Sequence, residues 1–347
     1  PYHQLNGGHF SRFLFTTLPL AWPRLNAYSR YRLECAMRAS VVLGFIGLPT
    51  LGYLLEGALN MGRYDEVFTL VLIFIALVLG MNRWAKGPVL AMLLLWAFLY
   101  YPPVLFPDAP WQPQLILQLL HDIVPAPLQQ SSEARHFGAW LYALWETQIM
   151  PGVFYTLVLG QLALVAAAFL ALFWFPLICT HTVNTSWLRN LNHFFLVTMR
   201  CLPEFLLAFI GLIFFGPSML PGVLALGLHN GALLAHLVGN YSNEVRLRSD
   251  GGSGINRYFY ELLPRIYPQF LSFTLYRGET IFRETAILGV LGIPTLGFHI
   301  DSAFEEFHFD KAFILIMVTV LINVGLEMLS TQLRRHLHAA QPSLRAS

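Results

Sequence analysis

Two charged pairs of identical spacing lie inside apolar stretches of this sequence. Glu279 and Arg283 are four residues apart, and Glu34 and Arg38 repeat that spacing. Residues four apart share one face of a helix, so each carboxylate can pair with its arginine. A charge within a bilayer is costly and faces a bundle interior or an aqueous cavity. Two interpretations therefore stand: structural ion pairs that tie helices together, or an arginine lining that contacts an anionic solute through its planar fork.

Glycine and proline interrupt the apolar runs that follow these pairs. The motif GLPTLG begins at position 47, and GIPTLG begins at position 292. Non-helical backbone is tolerated at membrane depth only where protein or water satisfies it. The breaks either mark a transport path or gate, or form a tight helix–helix turn near the outer surface. The residues of the predicted path or gate here are Gly47, Pro49, Gly52, Gly292, Pro294 and Gly297.

Further polar residues lie in apolar surroundings. Arg200 and Glu204 have the spacing of a third ion pair. One predicted span carries His229, Asn230, His236 and Asn240. These four are interpreted either as a proton or metal site or as packed, hydrogen-bonded polar residues. The sequence contains no phosphate-binding Gly-Lys-Ser/Thr loop, HExxH motif or nucleophile motif, so we expect no catalytic residue, no metal site and no ATP hydrolysis by this chain.

The elements that position these residues follow from composition. Of 347 residues, 56% are hydrophobic and 12% are charged, about half the ~25% charged residues of soluble domains. The mean hydropathy is +0.56. Such a chain is not expected to be disordered, collagen-like or nucleic-acid-binding, because each of these needs polar or basic sequence. Three separated cysteines indicate neither a disulfide framework nor a metal site. The sequence predicts a protein whose main solvent is lipid.

Apolar runs of about 20 residues predict transmembrane helices. The fold class is therefore an all-α, polytopic transmembrane helix bundle with about eight spans. The candidate spans are residues 28–55, 67–81, 88–106, 152–179, 194–215, 221–238, 270–300 and 312–329. Arginine and lysine concentrate in one set of connections and acids in the other. The positive-inside rule then predicts a multi-pass protein with a cytoplasmic C-terminus and an outer loop near 107–148.

An internal duplication relates the two ends of the chain. The offset is 245 residues and holds without a gap for about 70 residues: Leu18-Pro19 matches Leu263-Pro264, and the Tyr-Arg-x-Glu-x-x-x-Arg string recurs at 31–38 and 276–283. Both copies run in the same direction, which predicts parallel repeats about an axis along the membrane normal. The predicted domains are the C-terminal part of a first unit (1–87), a linker span with its outer loop (88–148) and a second unit (149–347). We expect the N-terminal part of the first unit to be missing from this sequence.

The least apolar inner loop, residues 243–266, resembles the coupling loop of ABC importer permeases. A glycine stands twelve residues before a Leu-Pro pair, and a short helix from Asn256 is expected to end at Pro264. The loop departs from that pattern at Glu244-Val245-Arg246. The alternative is a solvated inner loop with a helix elbow. The residues that this resemblance assigns to coupling are Gly251, Gly252, Ser253, Arg257, Leu263 and Pro264.

Longer strings make the resemblance more specific. YRGETIFRETAILGVLGIPTLGF (276–298), MRCLPEF (199–205) and PGVLALGLHNGALLAHL (221–237) resemble phosphonate-type ABC importer permeases, although the glycine-rich break of that family is altered here. The resemblance implies two fused permease units in a bacterial inner membrane that provide the path for a small solute, such as phosphonate or phosphate. It implies no cofactor in this chain. ATP and Mg²⁺ are expected on separate ABC-type ATPase subunits, and a periplasmic solute-binding protein is expected to deliver the solute.

Two other functional classes remain open at the level of sequence. A secondary transporter with parallel repeats would need intramembrane acids that titrate, and Glu34 and Glu279 could serve. A membrane scaffold subunit would use the repeat only as structure. Co-purification of a Walker-type ATPase distinguishes the importer from both alternatives.

Overall fold

Helices account for the regular structure in a computed structural model, which describes residues 13–45, 47–85, 87–105, 113–129, 136–245, 247–248 and 255–339. Across these ranges no β-strand occurs. The all-α fold predicted from composition is confirmed. The chain divides into two units, Pro1–Pro110 and Trp111–Ser347, whereas the three domain bounds predicted from the sequence stay a prediction.

The first unit is built from four main helices. They are α1 (Leu18–Phe45), α2 (Leu51–Asn60), α3 (Tyr64–Leu79) and α4 (Gly87–Leu105). The side chain of Thr50 accepts a hydrogen bond from the Gly52 amide and caps α2. This cap satisfies one of the amides that have no partner within a helix at its N-terminus.

The second unit contains nine main helices among its described residues. They are α5 (Pro113–Asp122), α6 (Phe137–Leu144), α7 (Met150–Ile178), α8 (Ser186–Cys201), α9 (Glu204–Phe215), α10 (Leu220–Glu244), α11 (Leu263–Ile287), α12 (Leu296–Glu305) and α13 (Phe309–Ala339). Its core lies where α7 and α10 pack together, flanked by α9 and α11.

Small residues let α7 and α10 approach closely. A Cβ atom added at Gly227 would lie 2.9 Å from the Cβ of Ala166, and one at Gly231 would lie 3.2 Å from the Ala167 carbonyl oxygen. Lipid tails are as apolar as the helix surfaces, so the hydrophobic effect does not drive helices together in a bilayer. Helices in lipid associate instead through such close van der Waals packing. This packing makes α7 and α10 the rigid frame of the second unit.

Several described helices have the length and composition of membrane spans. Phe137–Ile178, Leu220–Glu244 and Phe309–Leu337 are each long and apolar enough to cross a bilayer. Two bent helix pairs, α8 with α9 and α11 with α12, raise the count to five if each pair is one span. The figure of about eight spans over the whole chain stays a prediction.

The stretch 194–215 is not one straight span, and the prediction of a continuous helix there was wrong. Helix α8 ends at Cys201, α9 begins at Glu204, and their axes differ by 90°. Pro203 has no amide hydrogen and biases Leu202 toward extended backbone, where it has φ −69° and ψ 128°. Arg200 and Glu204 therefore lie on different helices and not four apart on one face.

Pro264 does not end a helix, contrary to the expectation from sequence. The helix continues from Ile255 through Pro264 to Ile287. The turn before the proline widens, so that the Leu263 amide donates to the Tyr258 carbonyl five residues earlier. The turn before Pro151 has the same form, with Met150 donating to Trp145. A widened turn therefore accommodates each proline without breaking the helix.

The duplication in sequence is also a duplication in local structure. Gly47 and Gly292 have φ values of +94° and +79°, which glycine adopts at no steric cost. Each donates its amide to a glycine carbonyl three residues earlier, over 3.0 Å and 2.9 Å. Widened turns at Phe13–Thr17 and Tyr258–Leu262 also correspond at the offset of 245. The matched glycines thus select the same turn twice.

The two copies differ in backbone strain at one position. Gly62 has φ +69°, and its counterpart Phe307 has φ +60°, a left-handed conformation that costs a non-glycine residue about 1–2 kcal/mol. Phe307 is 79% exposed, so it loses little packing when truncated. We expect Phe307→Gly to stabilise the fold by about 0.5–1 kcal/mol after the extra entropy of glycine in the unfolded chain is counted. Thermal unfolding of purified protein should show a higher Tm. Phe304→Gly, inside α12, is the control and should lower it.

Candidate functional site

The second glycine break forms a packed crossing between the end of α11 and the start of α12. A Cβ atom added at Gly297 would lie 2.7 Å from the carbonyl carbon of Ala286. The Leu296 amide donates to the hydroxyl of Thr156 on α7 over 2.9 Å, and Thr295 is fully buried. The break at 292–297 thus lies in a close helix–helix turn anchored to α7. Its non-helical backbone is satisfied by protein groups, as membrane depth requires.

The first break has the same construction within its own unit. A Cβ atom at Gly52 would lie 2.7 Å from the carbonyl carbon of Val41. The hydroxyl of Thr50 donates to the Ser40 carbonyl over 2.9 Å, as Thr295 donates to Thr285 over 3.4 Å in the second copy. Pro49 is exposed. The two predicted gate segments therefore share the same close helix–helix turn.

The partner of Glu279 is on another helix. Its carboxylate lies 2.7 Å from an Arg334 guanidinium nitrogen on α13, and the two side chains are 10% and 23% exposed. Arg283 instead donates from Nε to the Glu279 carbonyl over 3.4 Å, and its side chain is exposed. The predicted pairing of Glu279 with Arg283 was wrong about the partner. The interpretation as a tie between helices describes Glu279 with Arg334, and Arg283 lies beside a cavity of about 220 Å³.

In the first copy the matching charges have other neighbours. Arg38 donates to the Cys35 sulfur over 3.4 Å within α1, and Glu34 is half-buried.

A buried polar network that the sequence reasoning missed lies between α10 and α11. Arg277 donates through Nε to the Asn230 side-chain oxygen over 3.0 Å. Asn230 donates to Glu284 over 2.9 Å, and Glu284 lies 3.8 Å from Arg277. Asn230 is fully buried. The closed triangle satisfies both charges internally, so it positions α11 against α10. The sequence pointed to Asn230 as a packed, hydrogen-bonded polar residue and placed Arg277 in the repeated string, but neither pattern identified Glu284 or the closed network.

A buried histidine forms a hydrogen bond with the backbone at the bend between α8 and α9. His229 on α10 is fully buried and contacts the Leu202 carbonyl at 2.9 Å through Nδ1. A carbonyl only accepts, so Nδ1 carries the proton. The other ring nitrogen lies 3.7 Å from the Glu204 carboxylate. His229 thus has a structural role, which favours the packed-polar interpretation over a metal or proton site at this residue.

Replacing His229 with leucine is expected to destabilise the protein. The Leu202 carbonyl would stay buried without its donor, which costs about 1–3 kcal/mol. His229→Gln, which retains an N–H donor, should recover part of the loss. Thermal unfolding of the two purified variants measures both effects, and equal Tm values for parent and His229→Leu would contradict the assignment.

The other histidine of that span lies next to α8. The rings of His236 and His193 meet edge to face with centroids 5.0 Å apart. The side-chain nitrogen of Asn240 lies 3.2 Å from His236 Nε2, within hydrogen-bonding distance. The described part of the chain contains no group of three or more His, Cys, Asp or Glu residues that could hold a metal ion.

Part of the predicted coupling segment lies outside the described residues, namely Gly251, Gly252 and Ser253. The rest is organised by Glu261, whose carboxylate lies 3.5 Å from both Arg257 and Arg265. The same carboxylate accepts from the Arg248 amide. Leu262 is fully buried in the core. These contacts join Arg248 and Arg257 to the turn that leads into α11, of which Leu263 and Pro264 form the start.

Exposed aromatic residues at this end of α11 were not identified from sequence. Tyr260 is 84% exposed and Phe259 is 55% exposed, while neighbouring Tyr258 donates its hydroxyl to the Leu172 carbonyl over 3.0 Å. Phe15, the counterpart of Tyr260 in the first copy, is 78% exposed. Large exposed aromatic side chains are typical anchors of protein interfaces. Each copy therefore presents one at the same position.

Comparison with known proteins gives three informative relatives, and no protein-family model matches the chain. The phosphate-import permease protein PhnE of Mycolicibacterium smegmatis is 23% identical over 95% of this chain and 65% of its own length. The phosphite transport permease PtxC of Stutzerimonas stutzeri is 26% identical over 40% of this chain and 52% of its length. The putative cryptic phosphonate transport permease PhnE2 of Escherichia coli is 28% identical over 33% of this chain and 98% of its length.

The chain thus spans about two thirds of the first of these relatives and about half of the second. All three names describe permease proteins, and the solutes named are phosphate, phosphite and phosphonate. The helical fold and the interrupted spans are consistent with this similarity to permease proteins. By sequence, the chain is similar to permease proteins that are named for the import or transport of phosphate, phosphite and phosphonate.

Proposed function

We propose that this chain is the membrane-spanning permease subunit of an ATP-binding-cassette importer and provides the path for a small oxyanion such as phosphonate, phosphite or phosphate. The single observation that supports this most is similarity over 95% of the chain to a phosphate-import permease. The bacterial inner membrane is the proposed location, with the C-terminus on the cytoplasmic side. No reaction is assigned to the chain itself.

The proposed mechanism couples ATP binding on separate ATPase subunits to movement of α11. The Arg257–Glu261–Arg265 contacts hold the coupling segment to that helix, and Leu262 anchors it in the core. A push on the segment would therefore move α11 as a unit. Because α11 joins α10 through Arg277 and α13 through Glu279, the motion would reach both helices. ATP and Mg²⁺ would be held by the partner.

Two further proposals concern the solute. A periplasmic solute-binding protein would deliver it to the outer ends of the helices. Arginines such as Arg283 and Arg38 would favour an oxyanion over a neutral solute, because a guanidinium can donate two parallel hydrogen bonds to it.

Co-purification and reconstitution test this function. The full transporter, isolated through a tag on this chain, should contain a Walker-type ATPase, and proteoliposomes should take up phosphite or phosphate only with ATP. Uptake that survives ATP depletion but is abolished by an ionophore would establish a secondary transporter instead. A tagged chain that retains an ATPase but supports no uptake of any oxyanion would overturn the proposed solute class.

A further inference from the structure

The orientation of α13 is set by two contacts with α11. The Ser330 hydroxyl donates to the Leu275 carbonyl over 3.2 Å, and Arg334 pairs with Glu279 at 2.7 Å. Ser330 and Arg334 are four residues apart and share one face. That face of α13 therefore packs against α11, and the neighbouring faces of α13 point in other directions.

A row of polar residues with a spacing of four winds along α13, turning by about 40° per step and by about 160° from its first member to its last. Its members are Thr319, Asn323, Glu327, Thr331 and Arg335. At 1.5 Å per residue the row is about 24 Å long, most of the thickness of a bilayer core. Glu327 is exposed, and α13 is otherwise apolar over its span. We name this set the polar row.

One cavity adjoins the polar row. It has a volume of about 220 Å³ and is bordered by Arg283 and Glu279 of α11 and by Asn323 and Glu327 of α13, together with two valines of α13. It is large enough for a small oxyanion with some water. Beyond it, Glu327, Thr331 and Arg335 lie on an open surface formed by α13 alone, which leads toward the C-terminal end of that helix.

Contact between this polar surface and lipid is energetically unfavourable. Glu327 and Asn323 lie near the middle of a 29-residue candidate span, where an ionised side chain is costly unless it faces water or protein. Thr319 and Asn323 bond to backbone carbonyls of their own helix, so no second helix is needed to satisfy them.

We propose that the polar row and Arg283 form a water-lined wall of the translocation path, along which a small oxyanion moves past Arg283 and then Arg335. Glu327 lies between the two arginines and limits how tightly an anion is held, which transport requires because a solute must also leave. The identity of the solute rests on the proposed function, whereas the aqueous wall does not.

Cysteine accessibility in the assembled, membrane-embedded transporter tests the wall. Asn323→Cys and Glu327→Cys should react with a charged, membrane-impermeant methanethiosulfonate at least 10-fold faster than Leu321→Cys. Leu321 is the matched control because it is 66% exposed on the same helix but points away from the row. Of the three native thiols, Cys179 and Cys201 are buried and Cys35 is half-buried, so labelling of the parent chain is measured as the baseline and subtracted. Equal labelling of all three variants, or none at 323 and 327, would overturn the wall.

The solute is tested separately. Saturating phosphite or inorganic phosphate should slow the labelling of Glu327→Cys, and Arg283→Gln should raise the KM for uptake about 10-fold, with partial recovery in Arg283→Lys. Labelling that phosphite and phosphate leave unchanged, in variants that still take up either anion, would overturn the passage of oxyanion along this wall. Absence of ATP-dependent uptake in the parent would instead contradict the proposed function, and the labelling comparison would still decide the wall.

Discussion

Gly297→Ala is expected to prevent stable folding of the second unit. The added Cβ would lie 2.7 Å from the carbonyl carbon of Ala286 and 3.0 Å from its Cα, both backbone atoms of α11. Backbone atoms cannot rotate away as a side chain can, so α11 and α12 would have to separate. Overpacking typically costs about 1–3 kcal/mol and occasionally more. A clash with fixed backbone belongs at the upper end of that range, a large part of the stability of a typical domain.

The yield of monodisperse protein after detergent extraction, together with its Tm, measures this effect. Gly325→Ala on α13 is the matched control, since an added Cβ there meets nothing within 4 Å. It should be neutral or stabilising by up to about 1 kcal/mol, because alanine favours helix over glycine. Gly52→Ala repeats the clash in the first copy, 2.7 Å from the Val41 carbonyl carbon. A Gly297→Ala protein with the Tm of the parent would refute the close crossing.

On the proposed function, Tyr260→Ala is expected to weaken binding of the ATPase subunit at least 30-fold. The ring is 84% exposed on a segment held rigidly to α11 by Glu261. An aromatic anchor at the centre of an interface contributes about 2 kcal/mol or more, and 2 kcal/mol corresponds to about 30-fold in Kd. The fold should be unaffected because the ring has little contact to lose.

Retention of the ATPase on the tagged permease and uptake by proteoliposomes both measure this loss. Tyr267→Ala is the control, as Tyr267 is also exposed, at 55%, but lies farther along α11. If Tyr260→Ala retains as much ATPase as Tyr267→Ala, the anchor assignment fails. Phe15→Ala then asks whether the first copy carries a second anchor, and it should reduce binding if both copies contact an ATPase subunit.

The internal repeat could be predicted from sequence because it rests on residues with distinct physical requirements. Gly47 and Gly292 both need a left-handed backbone, so their recurrence at one offset reflected one turn formed twice. The helical class followed as directly from composition. A chain with only 12% charged residues has a large apolar surface, which must be buried in the protein or lie in lipid. Neither inference needed knowledge of which helices touch.

Contacts between helices could not be predicted in the same way. The sequence placed Arg283 next to Glu279, because positions four apart are neighbours on any helix. Packing instead brought Arg334 to Glu279 from 55 residues away, and left Arg283 beside a cavity. The widened turn before Pro264 likewise depends on a helix that continues into a packed core, which a local rule about proline does not include.

For this protein, the sequence by itself determined the solvent, the helical class, the repeat and the resemblance to oxyanion-type permeases, since each depends on residue type or on local spacing. Only the tertiary structure decided that His229 satisfies the bend at Leu202, that Arg277, Asn230 and Glu284 form one closed network, and that the polar row borders open space. These depend on which face of each helix turns toward its neighbour. That choice is made by the sum of close packing and buried hydrogen bonds over the whole unit.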